Sequence, residues 1–185
     1  QFQSGTFERQ ASNGESVWLE ASYNPVRDEA GHVIKVVKFA LDVTPRLQAE
    51  SEASAKLEAI DRAMAVIEFN LDGTIITANA NFLQRMGYSL AQIQGKHHRL
   101  FCSAELANSS AYTEFWKRLN QGELFSGQFE RVDKNGRTVW LEANYNPVYD
   151  ASGRLCKVVK FASDVTAKVE QHAADAASAS QAYHI

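Results

Sequence analysis

The chain has 185 residues, 45% of them hydrophobic and 22% charged, with 19 Lys and Arg against 22 Asp and Glu for a formal net charge of -3; this is the profile of a globular protein and excludes disorder over most of its length. So balanced a charge creates no global basic field, which argues against nucleic acid or an anionic membrane surface as the main partner. No apolar run approaches the roughly 20 residues of a membrane span, and two cysteines, Cys102 and Cys156, are too few for a disulfide framework or zinc site and fit a reducing, cytoplasmic setting.

In chain order, the first feature is one half of an internal repeat. Gly5 to Thr44 recurs as Gly127 to Thr166 at an offset of 122, with 26 identities in 40 ungapped positions. An offset of that size is a domain duplication and not a solenoid period. Residues 1–44 therefore read as the C-terminal, three-stranded part of a first domain. The chain begins with Gln, so we expect an internal piece of a longer protein.

Residues 45–63 follow, rich in helix formers and poor in β-branched residues, and read as a helical connector. Ala53, Leu57, Ile60 and Met64 form a narrow apolar seam, which suits either a two-helix contact or packing on its own sheet.

Residues 64–166 read as a complete second domain. Val66 to Asn70 and Thr74 to Ala78 flank an Asp72-Gly73 turn and predict a hairpin. Asn79 is placed to cap a helix from Ala80 to about Met86 that Gly87 ends, and Ser89 is a second cap. Tyr112, Phe115, Trp116 and Leu119 share the stripe of a main helix over Ala111 to Asn120. Three strands complete the unit, Phe125 to Val132, Thr138 to Val148 and Leu155 to Asp164, joined by Asp133-to-Gly136 and Asp150-to-Gly153 turns. Within the middle strand Val139, Leu141, Ala143 and Tyr145 share one face, and Trp140, Glu142, Asn144 and Asn146 the other. The order predicts an α+β fold, a five-stranded antiparallel sheet with helices on one face. Residues 167–185 repeat the polar, Ala-rich character of the connector and read as an exit helix or linker.

The charges Glu130, Arg131, Glu142 and Lys160, matched by Glu8, Arg9, Glu20 and Lys38, are expected to form cross-strand pairs. No Ser-His-Asp set, Walker loop, GxGxxG, metal box or kinase motif occurs, so an enzyme is not expected.

The Asp72-Gly73 hairpin, Asn79-Ala80-Asn81-Phe82, Gly87-Tyr88, Ile93-Gln94-Gly95, Phe115-Trp116, Lys134-Asn135-Gly136 and the doubled Asp-x-Thr at 42–44 and 164–166, in this order and spacing, resemble the PAS sensory domains. More narrowly, Trp116, Leu119 to Glu123, Ser126-Gly127 and Trp140 to Asn144 are similar to bacterial aerotaxis receptors and to tandem-PAS methyl-accepting chemotaxis proteins. The resemblance implies a PAS fold for residues 64–166 and the corresponding part of one for residues 1–44. It implies redox or oxygen sensing through FAD, with Trp116 on the wall of the flavin pocket and His98 and Asn144 as polar contacts. Where the aerotaxis receptor carries His-Pro-Asp after the loop His, this chain has Cys102-Ser103-Ala104-Glu105. His97 is a further candidate ligand. Haem held by His97 or His98, and a ligand-free dimerisation and relay module, are the alternatives. Asp42, Thr44, Asp164 and Thr166 are the expected relay residues, since a carboxylate beside a Thr can cap an exiting helix. A homodimer, with a chemotaxis signalling domain in the same chain and no membrane contact by this segment, completes the expectation.

Overall fold

The computed structural model describes residues 2–182, which divide between Ala59 and Ile60 into two compact units. In the first unit β1 (Gln3–Gln10), β2 (Ser16–Arg27) and β3 (Val33–Asp42) form an antiparallel sheet in that order. Helix α1 (Thr44–Ala63) leaves β3 and has no buried residue. Of its seam, Leu57 is 65% and Ile60 37% exposed, so the stripe is not laid on a sheet.

The second unit opens with β4 (Ala65–Phe69) and β5 (Ile75–Ala78). Helix α2 (Ala80–Met86) begins at Asn79, whose Oδ1 accepts the amides of Phe82 at 3.0 Å and Val66 at 2.9 Å. One side chain thus caps the helix and fixes it to the first strand. Gly87 ends it in the left-handed conformation, φ 77°. Two one-turn helices, α3 (Leu90–Ile93) and α4 (Ala104–Ala107), and a 3-10 turn at His98–Phe101 lie in the stretch that sequence periodicity is too short to resolve. Helix α5 (Ser110–Leu119) buries Tyr112, Trp116 and Leu119. Then come β6 (Phe125–Val132), β7 (Thr138–Tyr149), β8 (Leu155–Asp164) and α6 (Thr166–Ala182).

The strands form one antiparallel sheet in the order β5-β4-β8-β7-β6. The first hairpin thereby docks on the last strand, and the core lies between the sheet and the helices. Ile67, Phe69, Phe82, Met86, Ile93, Phe101, Leu119, Leu141 and Val158 are 0–2% exposed. The fold is the expected α+β arrangement, a five-stranded sheet with a separate three-stranded one. No helix among the described residues is long and apolar enough to cross a membrane.

The cross-strand charge pairs expected for Arg131 and Lys160 do not form. Both face the core, at 4% and 2% exposure, because they occupy the inward register of their strands. Lys160 lies between buried Val158 and Ala162, and Arg131 lies two residues from Phe129, which packs on the core. The pair that does form across this sheet is Glu68 with Lys157, at 2.6 Å.

Candidate functional site

Two places in the second unit concentrate polar chemistry: an interior cluster around His98 and the junction between β8 and α6. The first is positioned by the Asp72-Gly73 turn. Gly73 has φ +84°, and its carbonyl accepts the His98 amide at 2.8 Å. A Cβ there would stand 2.6 Å from His97 Nε2, so only glycine lets the loop come this close. Behind it His98 turns inward, 1% exposed.

The two ring nitrogens of His98 are both engaged, Nδ1 with Tyr112 Oη at 2.9 Å and Nε2 with Tyr145 Oη at 3.1 Å. Arg131 Nη2 donates to the same Tyr145 oxygen at 2.9 Å. Lys160 Nζ stands 4.9 Å from the Tyr145 ring centroid, within cation–π range. Phe69 and Trp116 meet His98 edge-on, with centroids at 5.2 and 5.5 Å, and Tyr112 lies nearly parallel to it. Cys102 Sγ is 3.8 Å from His98 Nδ1.

Burial, reinforced by the positive charges of Arg131 and Lys160, holds the His98 imidazole far below the ordinary histidine range, so it is neutral at physiological pH. Burial also raises the Tyr112 and Cys102 groups. Tyr145 moves the other way. Burial would raise it, but Arg131 and then Lys160 outweigh that and lower it. Lys160 is itself lowered, by burial first, against the opposing pull of Tyr145.

Of the residues expected to meet a ligand, His98 and Trp116 come together in this interior. His97 lies at its edge, half-buried, lining a surface cleft of about 210 Å³ with Asp72, Arg99, Tyr112 and Trp116. Asn144 does not join them. It lies on the sheet face opposite Tyr145, where its Oδ1 accepts from Asn146 Nδ2 at 2.7 Å, because alternate strand residues point to opposite faces. Arg131, Lys160, Tyr112 and Tyr145 are the interior residues that sequence reading left out. The signal was present in the two-residue period that puts Lys160 with Val158 and Ala162, and Tyr145 with Leu141 and Ala143.

The junction is the second place. Asp164 Oδ1 accepts the Thr166 amide at 2.9 Å and its hydroxyl at 2.6 Å. Thr166 Oγ1 accepts the Trp140 amide at 2.9 Å and Arg85 Nη2 at 3.1 Å, and Arg85 Nε is 2.7 Å from Asp164 Oδ2. The start of α6, β7 and α2 are thus tied at one point. The first unit repeats the core of this arrangement: Asp42 Oδ1 accepts the Thr44 amide at 2.9 Å, and Thr44 Oγ1 accepts the Trp18 amide at 2.7 Å. Hydrogen bonds from the Thr44 hydroxyl and then from the Thr44 amide hold the Asp42 carboxyl below its usual range.

Residues 75–162 match the model of the PAS fold, and residues 1–45 match a model of the PAS domain. The biofilm dispersion protein BdlA of Pseudomonas aeruginosa is 50% identical over 180 residues, 97% of this chain and 43% of that protein. The aerotaxis receptor of Escherichia coli is 33% identical over 79 residues, 43% of this chain and 15% of that protein. The chain spans less than half the length of these curated relatives. A solved light-oxygen-voltage domain, studied with a flavin analogue, superposes with a TM-score of 0.54 at 18% identity, covering 68% of this chain and 96% of that one. With two PAS matches that together cover most of its length, the chain belongs to the PAS family of sensory domains.

Proposed function

We propose that the chain is the sensory input region of a bacterial chemotaxis-type transducer, in which the second PAS unit passes its state to α6 through Asp164, Val165 and Thr166. The observation that carries this reading is the junction itself. Thr166, the first residue of the exit helix, is joined to the backbone of β7 and to Arg85 of α2. A shift of the sheet relative to α2 would therefore change how the helix starts. Asp42 and Thr44 serve the same purpose for α1. The likeness to the aerotaxis receptor supports redox state or oxygen as the stimulus, and the transducers it is similar to support a dimer in the cytoplasm with a signalling domain in the same protein.

FAD is the cofactor the resemblance implies. When bound in a PAS unit, it would supply a redox change of charge and hydrogen bonding. The interior of the second unit does not fit its ring system. His98, expected as a polar contact, has both nitrogens committed to Tyr112 and Tyr145. Trp116 packs edge-on against Phe69 and His98 rather than presenting a free face, and Asn144 is on the far side of the sheet. Haem ligation by His98 meets the same objection. These contacts favour a second reading in which this unit relays a signal without holding a chromophore.

The test uses the full-length protein. Thr166→Val combined with Asp164→Asn is expected to abolish the response of the output domain to oxygen or reductant while the far-ultraviolet circular dichroism is kept. A folded double variant that still responds normally would overturn the relay. The absorption spectrum of the same protein before and after reductant reads the cofactor separately. A flavin band that survives Tyr145→Phe and is lost in Trp116→Ala would show that the interior rearranges to admit the ring.

A further inference from the structure

The second unit buries two cations in its core and no carboxylate to neutralise them. Among the described residues, no Asp or Glu lies within ion-pair distance of Arg131 or Lys160, although the two side chains are 4% and 2% exposed. Arg131 Nε is buried without a hydrogen-bond partner. Uncompensated charge in a low-dielectric interior is strongly unfavourable. The group that both cations face is the hydroxyl-bearing ring of Tyr145, itself 0% exposed.

We propose that Tyr145 is a proton-releasing group built into the core of the second PAS unit, its phenolate serving as the counter-ion of Arg131 and Lys160 and its proton leaving through His98 and Tyr112 to His97. The groups that face it come from every packed element: His98 from the 3-10 turn, with Cys102 behind it, Tyr112 from α5, Arg131 from β6 and Lys160 from β8.

The hydrogen-bond chain gives the proton a route. With Tyr145 neutral, its O–H donates to His98 Nε2, the His98 Nδ1–H donates to Tyr112 Oη, and the Tyr112 hydroxyl points to His97 Nδ1, 3.5 Å away. Moving one proton along each link breaks the O–H bond of Tyr145 and forms an N–H bond at His98 Nε2. It transfers the Nδ1 proton to Tyr112 and the Tyr112 proton to His97 Nδ1, which gives up the Arg99 amide it accepts at 3.1 Å, and a base in solvent takes the proton from His97 at the surface cleft. One proton leaves, His98 changes tautomer, and Tyr145 gains one negative charge that accepts from Arg131 Nη2 and His98 Nε2. The last link is long for a hydrogen bond, so approach of Tyr112 to His97 gates the path. The opposite shifts of the two tyrosines agree with their roles: Tyr112 is raised and stays a neutral carrier, whereas Tyr145 is lowered.

The duplication supports the assignment independently. Arg131, Tyr145 and Lys160 recur as Arg9, Tyr23 and Lys38 at the same offset. Lys38 Nζ again stands over its tyrosine ring, 5.5 Å from the centroid, and Arg9 lowers Tyr23. Asn144, by contrast, is Ser22 in the first unit.

The experiment is an ultraviolet titration of tyrosinate in the full chain carrying Tyr23→Phe, which leaves five of the six tyrosines. One of the five is expected to ionise below the ordinary tyrosine value of about 10, and Tyr145→Phe is expected to remove that amplitude. Lys160→Met should raise its midpoint by about one pH unit, a tenfold change in the acid constant. Early amplitude that persists without Tyr145, or five tyrosines titrating together at or above the ordinary value, would overturn the proposal. Because core variants can unfold, ring-carbon-labelled tyrosine is also followed by NMR in the chain with its core intact. Loss of the Lys160 ammonium proton before any tyrosine resonance moves would overturn it. So would stabilisation by added acetate or phosphate that Arg131→Met removes, since an external anion would then be the counter-ion.

Discussion

Replacing Thr166 by Val keeps the volume of the side chain and deletes one oxygen that makes three hydrogen bonds, to the Trp140 amide, to Arg85 Nη2 and to Asp164 Oδ1. Losing the first leaves a half-buried strand amide without an acceptor, worth about 1–3 kcal/mol. Losing the second is softened because Arg85 keeps its ion pair with Asp164. That pair is more than a third exposed and contributes about 0–1 kcal/mol. A net loss of about 2 kcal/mol follows for the second unit, or a fall in its melting temperature of about 8–10 °C at the usual entropy of unfolding for a domain of this size. Urea denaturation with both transitions resolved would read the energy, and amide exchange of Trp140 would locate it. Thr44→Val in the first unit deletes the corresponding bond to the Trp18 amide, but Trp18 is 37% exposed, so water replaces the acceptor and the cost is expected to stay below about 1 kcal/mol. Equal effects at the two junctions, or an unprotected Trp140 amide already in the parent protein, would refute this reasoning.

Three further outcomes are expected. His98 is held neutral in the folded state by burial and by Arg131 and Lys160, whereas in the unfolded chain it takes up a proton below pH about 6.5; its contribution to stability is therefore complete above that pH and lost as pH falls below it. His98→Phe should flatten this limb of the stability profile, as read by urea midpoints at a series of pH values. Trp116→Ala opens the core beside Phe69 and His98 and should cost about 3–5 kcal/mol, while Asn144→Ala, on the other face of the sheet, should cost under about 1 kcal/mol; calorimetry of the two variants distinguishes them. Cys102, raised by burial, should react with a thiol reagent far more slowly than exposed Cys156, and equal rates under native conditions would contradict the burial.

The parts of this fold that are legible in sequence are those with local causes. Asn79 and Gly87 bound α2 because capping is a property of a few adjacent residues. The duplicated strands are legible because alternation and turn residues mark them twice. The one-turn helices between Ser89 and Ala107 were not, since four residues give no period to read. The interior cluster failed for another reason. Charged residues on strands suggest pairing partners, but in register Arg131 stands opposite Val139 and Lys160 opposite Tyr145. Their inward orientation follows only when strand parity is given more weight than charge. The same parity, applied to β7, excludes Asn144 from a pocket shared with Tyr145, and here the pattern in the sequence was a better guide than the resemblance.

The relay is tested most directly by amide hydrogen exchange of the full-length protein in its oxidised and reduced states. The account predicts that protection changes at Trp140, Thr166 and Val169, where β7 meets the first turn of α6, and stays constant at the Asp150-to-Arg154 turn. Identical protection at the junction in both states, while the output domain responds, would contradict it.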